Sequence, residues 1–189
     1  KIPLLLPALI QAGNPGKKTI IEILAWSKGQ QYFSDVLPYT ATENEQVRSA
    51  AFKALPELSS PSDIGNLIRL LEKTDDPSTI ADVQSALAAA ANQKPDPEGR
   101  SSELLKAMSS MQKKEKMIPV LAMTGGREAL ATVLSEFENG SVEMRSTCFK
   151  ALTSWKDHSA SSALYEICAS KNKTYEGPAF DGYVRQVKN

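Results

Sequence analysis

Histidine is almost missing from this chain: there is one, His158, in 189 residues. A single imidazole leaves little room for His-based acid–base chemistry or for a histidine-rich metal site. Cysteine is nearly as scarce, and Cys148 with Cys168 could close one bridge at most, which excludes a disulfide-stapled miniature and leaves the redox compartment open. Net charge is also lacking, because 22 Lys and Arg balance 22 Asp and Glu. Without a basic field there is nothing to gather phosphate backbones, so nucleic acid is not an expected partner. Aromatics make up 6%, too few for a stacking platform. No apolar run reaches membrane-spanning length, and no stretch sustains the alternation of a half-buried strand.

What the chain does have is apolar residues at helical spacing, punctuated by short turns. The pattern predicts twelve helices, near 2–12, 16–27, 30–38, 45–58, 62–73, 79–92, 102–111, 114–124, 127–137, 142–155, 159–170 and 175–188. Asn14-Pro15 and Asp76-Pro77 place a capping residue before a proline suited to a helix start. The polar, proline-broken segment Gln93–Arg100 reads as the most mobile loop, too short to separate domains. The apolar start, Ile2 to Ile10, has some flavour of a signal-peptide core but is broken by two prolines, and it fits a first helix better. The opening without Met and the abrupt end at Asn189 suggest a piece of a longer polypeptide.

The chain also repeats itself. Val47-Arg-Ser-Ala-Ala-Phe-Lys-Ala-Leu55 returns as Met144-Arg-Ser-Thr-Cys-Phe-Lys-Ala-Leu152. With Leu55 as anchor, equivalents fall at Leu24, Ala91, Leu121, Leu152 and Val184, a period of about 31 residues. Four residues before each anchor stand Ile20, Ala51, Leu87, Met117, Cys148 and Phe180, all apolar. In the intervening helices Val36, Leu67, Val133 and Leu164 share one column, with Glu103 as its misfit. Thr40, Leu71, Ala107, Phe137 and Cys168 share the next, and Leu5 and Leu9 extend both columns backwards. The approximate units are 1–28, 29–58, 59–93, 94–124, 125–156 and 157–189, stacked as a single domain.

The motif Val-Arg-x-x-Ala-x-x-Ala-Leu, complete at Val47–Leu55, resembles the HEAT repeat, and the short period resembles its compact, bilin-lyase-like subtype. The resemblance implies a right-handed all-α solenoid of about six antiparallel helix pairs, without cofactor or metal. It implies a non-catalytic scaffold or spacer whose concave side, lined by the second helices, holds a protein or peptide. The outward columns there are Lys18, Ser49, Ser85, Glu115 and Ser146, then Glu22, Lys53 and Lys150. Arg48 and Arg145 lie to the flank of the core face, and the resemblance implies a ladder from them to Asn44, Asp76 or Asn139 in neighbouring turns. An enzymatic HEAT-like fold, or an accessory to a neighbouring catalytic domain such as a sugar-active hydrolase, is the alternative.

Other residue types that could carry chemistry have plainer roles. Cys148 and Cys168 fall in core columns, His158 in a turn, and Asp75-Asp76 where a helix start needs a cap. Trp155 aligns with core Leu58, whereas Trp26 aligns with Glu57 and is expected at the surface. Asn139-Gly-Ser141 and Asn172-Lys-Thr174 match the glycosylation pattern, a match common by chance.

Overall fold

A computed structural model describes residues 5–170 and 173–188, and among these every regular element is a helix. Contacts divide the chain into two compact units, Lys1–Gln93 and Lys94–Asn189. The division falls at the edge of the proline-broken segment.

The first unit contains α1 (Leu5–Gln11), α2 (Asn14–Trp26), α3 (Phe33–Val36), α4 (Glu45–Leu58), α5 (Ile64–Lys73) and α6 (Pro77–Asn92). Here α4 packs against α2 on one side and α6 on the other, while α1 lies on α2 and α5 on α6. The helix expected over 30–38 is broken into a 3-10 turn at Gln30–Tyr32, the single α-turn α3, and a second 3-10 stretch at Leu37–Ala41. Pro38 accounts for the second change, at Leu37, since it cannot donate the hydrogen bond that would continue α3.

The second unit contains α7 (Pro97–Ser110), α8 (Ile118–Thr124), α9 (Arg127–Asn139), α10 (Val142–Thr153), α11 (Ser161–Ala169) and α12 (Glu176–Lys188). In this unit α10 packs on α8, α9 and α12, with α7 on α8 and α9, and α11 on α12. Two starts differ from expectation. Helix α7 begins five residues earlier than the predicted 102, because Asp96 caps it and accepts from the Gly99 amide (2.8 Å) with a proline in the first turn. Helix α8 begins later than 114, because Pro119 suits a first turn, and Lys114–Lys116 forms a 3-10 turn before it.

Caps follow the sequence closely elsewhere. Asn44 accepts from the Val47 amide (3.1 Å), Asp76 from that of Thr79 (3.0 Å), and Ser141 from that of Met144 (3.2 Å). Two starts are exceptions: α2, where Gly13 and not the expected Asn14 takes the cap position and Asn14 is already helical, and α9, whose N-cap Gly126 has φ 103° and no side chain to offer. Glu98 of α7 supplies what is missing, accepting from the Arg127 amide at 2.8 Å and the Glu128 amide at 3.4 Å. A carboxylate there also meets the positive end of the helix.

The anchor column is the centre of both cores. Leu24, Leu55, Ala91, Leu121 and Leu152 are fully buried, as are Val36, Leu67, Val133 and Leu164 of the other column. Each buried leucine or valine contributes about 1.5 to 3 kcal/mol relative to exposure. Three registers need correction. In α2 the buried residue before Leu24 is Ile21, and Ile20 of the expected column is half-buried. In α7 the buried residues are Leu104 and Met108, so the Glu103 misfit disappears with a shift of one. In α12 the inward set is Ala179, Gly182 and Gln186, whereas Phe180 stands 55% exposed and Val184 is half-buried. Close approach explains that turn of α12: a Cβ on Gly182 would sit 3.1 Å from the Thr153 methyl. The Gln186 amide donates to the Leu152 carbonyl (3.1 Å), so α12 satisfies a carbonyl at the end of α10.

Candidate binding surface

In α4 the inward set of Ala51, Ala54 and Leu55 turns Ser49 and Lys53 toward the outer flank, since residues three and four apart share a face. In the first unit this flank meets the outer side of α2. Lys18, Glu22, Ser49 and Lys53 line one groove of about 470 Å³, with Glu45 and Gln46 beside them. Four of the eight expected surface residues are therefore brought together. Lys18 Nζ lies 3.8 Å from Glu22 Oε1 one helical turn away, an exposed pair worth only about 0.3 to 0.5 kcal/mol. The charges are evenly mixed.

Lys53 also reaches the field of Asp82 on α6. Burial pushes the Asp82 carboxyl above its ordinary range and Asp76 adds to that, while the Lys53 charge opposes both. Asp82 was not among the outward residues expected from the sequence, because the repeat columns ran through Ser85 instead. Ser85 is exposed on α6 but does not line the groove with Lys53.

In the second unit Ser146 and Lys150 of α10 line a groove of about 510 Å³ against Gly177, Asp181 and Arg185 of α12. Arg185 and Asp181 were missed because the register of α12 was one residue out. Glu115 is exposed, but it sits in the 3-10 turn before α8 rather than on a helix face.

The expected ladder takes another form. Arg48 donates to the carbonyls of Thr42 (2.8 Å) and Glu43 (3.1 Å), in the turn that leads into its own helix. Arg145 Nε donates to the Gly140 carbonyl (3.0 Å), again in the turn before its own cap. The implied partners are engaged otherwise: Asn44 and Asp76 cap helices, and the Asn139 amide donates to the Ser135 carbonyl (3.0 Å). Arg100 repeats the device before α7, bonding the Lys94 carbonyl (2.6 Å) and that of Pro95 (3.2 Å). In all three cases the arginine stands four residues after the cap, where a long side chain folds back over the first turn.

The remaining reactive residue types do structural work. Asp76 is held below the ordinary carboxylate range by the Ser78 hydroxyl first, then by the Thr79 amide and hydroxyl. His158 Nδ1 faces the Gln186 carbonyl, so that nitrogen carries the proton of the hydrogen bond. Cys148 is fully buried, and burial followed by Glu136 pushes its thiol up to about 12. Cys168, expected in the core, is half-buried, one residue before the end of α11. Trp155 is buried just beyond the end of α10, and Trp26 is 86% exposed. Ser141 of the first glycosylation match is the cap of α10, and Asn172 of the second lies outside the described residues. Among the described residues no three His, Cys, Asp or Glu side chains gather to hold a metal, and no helix is long and apolar enough to cross a membrane.

Comparison with protein-family models, with curated proteins and with solved structures finds no match to this chain.

Proposed function

We propose that this chain is a HEAT-like, right-handed α-solenoid of about six helix pairs that works as a non-catalytic scaffold, or as a spacer within a larger polypeptide. Its partner is a protein or peptide held along the outer flank of the second helices. The observation that supports this reading is the stacking of second helices on one another within each unit: α4 on α2 and α6, and α10 on α8 and α12. Such stacking shares one core between neighbours and leaves a recurring polar strip outside it. Lys18, Glu22, Ser49 and Lys53 form that strip in the first unit, and Ser146 and Lys150 in the second.

Mixed charge on the strip favours a partner that reads position by position over a uniform polyanion. The test is a pulldown with Lys53→Glu/Lys150→Glu, both exposed positions, with circular dichroism checking that the variant keeps its helices. Loss of specific partners is expected, and an unchanged set of partners removes this surface from consideration. Duplex DNA binding that weakens steeply with salt, at micromolar affinity or tighter, overturns the reading.

A further inference from the structure

We propose that two copies of this chain pair through α12, laid antiparallel so that an apolar stripe and a charged flank each meet their own reverse. The inward side of α12 is taken by Ala179, Gly182 and Gln186. At about 100° per residue the outer side carries Phe180, Val184 and Val187 as one stripe. Phe180 and Val187 are more than half exposed, at 55% and 59%, and Val184 is half-buried. Tyr183 sets its ring 5.8 Å from that of exposed Tyr165 on α11, so the apolar surface continues onto the neighbouring helix. Apolar side chains gathered on one exposed face mark an interaction surface, whereas scattered single ones need no explanation.

The charges beside the stripe say what covers it. One flank carries Asp181, then Arg185 and Lys188, all exposed, with acid toward the start of the helix and base toward its end. Asp181 and Arg185 border the same shallow groove as Phe180 and Val184, about 480 Å³. They make no ion pair with each other or with any other described residue. Glu176 and Tyr183 lie on the other flank, and exposed Lys173 comes before the first turn, at the far end from Arg185 and Lys188. Lys150 of α10 meets Asp181 and Arg185 in a separate groove, on their side away from the stripe.

Such a face complements itself only when reversed. A twofold axis across the helices keeps each flank on its own side and inverts it end to end, which sets acid against base. With a rise of about 1.5 Å per residue and the axis between Tyr183 and Val184, Phe180 meets Val187 of the second copy. Asp181 then stands within about 2 Å in height of Arg185 of the second copy, and symmetry repeats the contact. Parallel pairing exchanges the flanks, so neither Asp181 nor Arg185 finds its opposite. One helix from each copy makes a small interface, below about 1,200 Å², so the pair is weak and depends on concentration. The inference does not rest on the scaffold reading or on its outer strip.

Sedimentation velocity of the full chain should show a monomer to dimer equilibrium with Kd on the order of 100 µM, and amide signals of Phe180, Val184 and Val187 should shift as concentration rises. Asp181→Arg alone and Arg185→Asp alone each set like charges together at both symmetric contacts, and each should weaken pairing at least about tenfold. An equimolar mixture of the two variants should pair again, within about threefold of the parent, because each supplies the charge that the other lacks. Damage to the fold would not be repaired by mixing. Lys53→Glu/Lys150→Glu should leave Kd unchanged, which separates this contact from the outer strip. The proposal fails if the chain stays monomeric up to about 1 mM, or if it grows beyond a dimer, as head-to-tail stacking would make it do. It fails equally if the shifts map elsewhere, if the single variants pair like the parent, or if their mixture stays monomeric.

Discussion

Helices α4 and α10 carry Arg, Ser, Phe, Lys, Ala and Leu at matching places and differ in how firmly they are held. Ala51 and Cys148, Ala54 and Ala151, Leu55 and Leu152 are buried alike, and Phe52 matches Phe149. At the start of each helix the likeness weakens: Val47 is buried but Met144 only half-buried, and Arg48 makes two backbone bonds where Arg145 makes one. Copying has preserved what the core demands and relaxed what the turn demands. The difference teaches that a repeat is defined by its inward column, while its entrance is adjusted locally.

The comparison is most severely tested by Leu55→Ala against Leu152→Ala. Both side chains are fully buried, so each substitution should cost about 2 to 5 kcal/mol in chemical denaturation. A loss below about half a kilocalorie at either site breaks the equivalence. The arginines sharpen it: Arg48→Ala should cost about 1 to 2 kcal/mol, and Arg145→Ala, exposed and singly bonded, less than about 1 kcal/mol. Equal losses would mean that the second bond of Arg48 contributes nothing. Removing the cap that α9 borrows, by Glu98→Ala, should cost about 0.5 to 1 kcal/mol, and thermal denaturation of Glu98→Gln should fall between that variant and the parent.

At neutral pH the smallest effect separates Ala51 from Cys148. A thiol held near 12 in the folded chain, against 9.0 when unfolded, keeps its proton while the unfolded form loses it. Stability should therefore be unaffected by this group below about pH 9 and should decline as pH rises from there toward 12. Cys148→Ala should flatten that decline. At pH 8 a thiol-specific reagent should label half-buried Cys168 long before Cys148, and comparable rates would contradict the burial of the second site.

Helix number and the inward columns were legible because apolar spacing and turn residues report them directly. The errors fall where packing between helices decides. Phe180 is large and apolar, so its column looked inward, yet small Ala179 and Gly182 let α12 approach Thr153 and turned Phe180 out. The start of α7 was legible and overlooked: Asp96-Pro97 carries the same signal as Asp76-Pro77. In the outer strip, helical geometry placed Lys18, Glu22, Ser49 and Lys53 on one surface. Asp82 and Arg185 escaped, because their proximity depends on neighbouring helices and not on spacing within one.

The arginine that folds back over its own turn has a consequence for how such a chain can change. Its acceptors are main-chain carbonyls, which every residue supplies, so Thr42-Glu43, Lys94-Pro95 and Gly140 serve equally well despite sharing no side chain. A hinge built this way tolerates drift in the loop beneath it. It also travels whole with its helix when a segment is duplicated or lost, leaving no charged partner stranded in the segment next door.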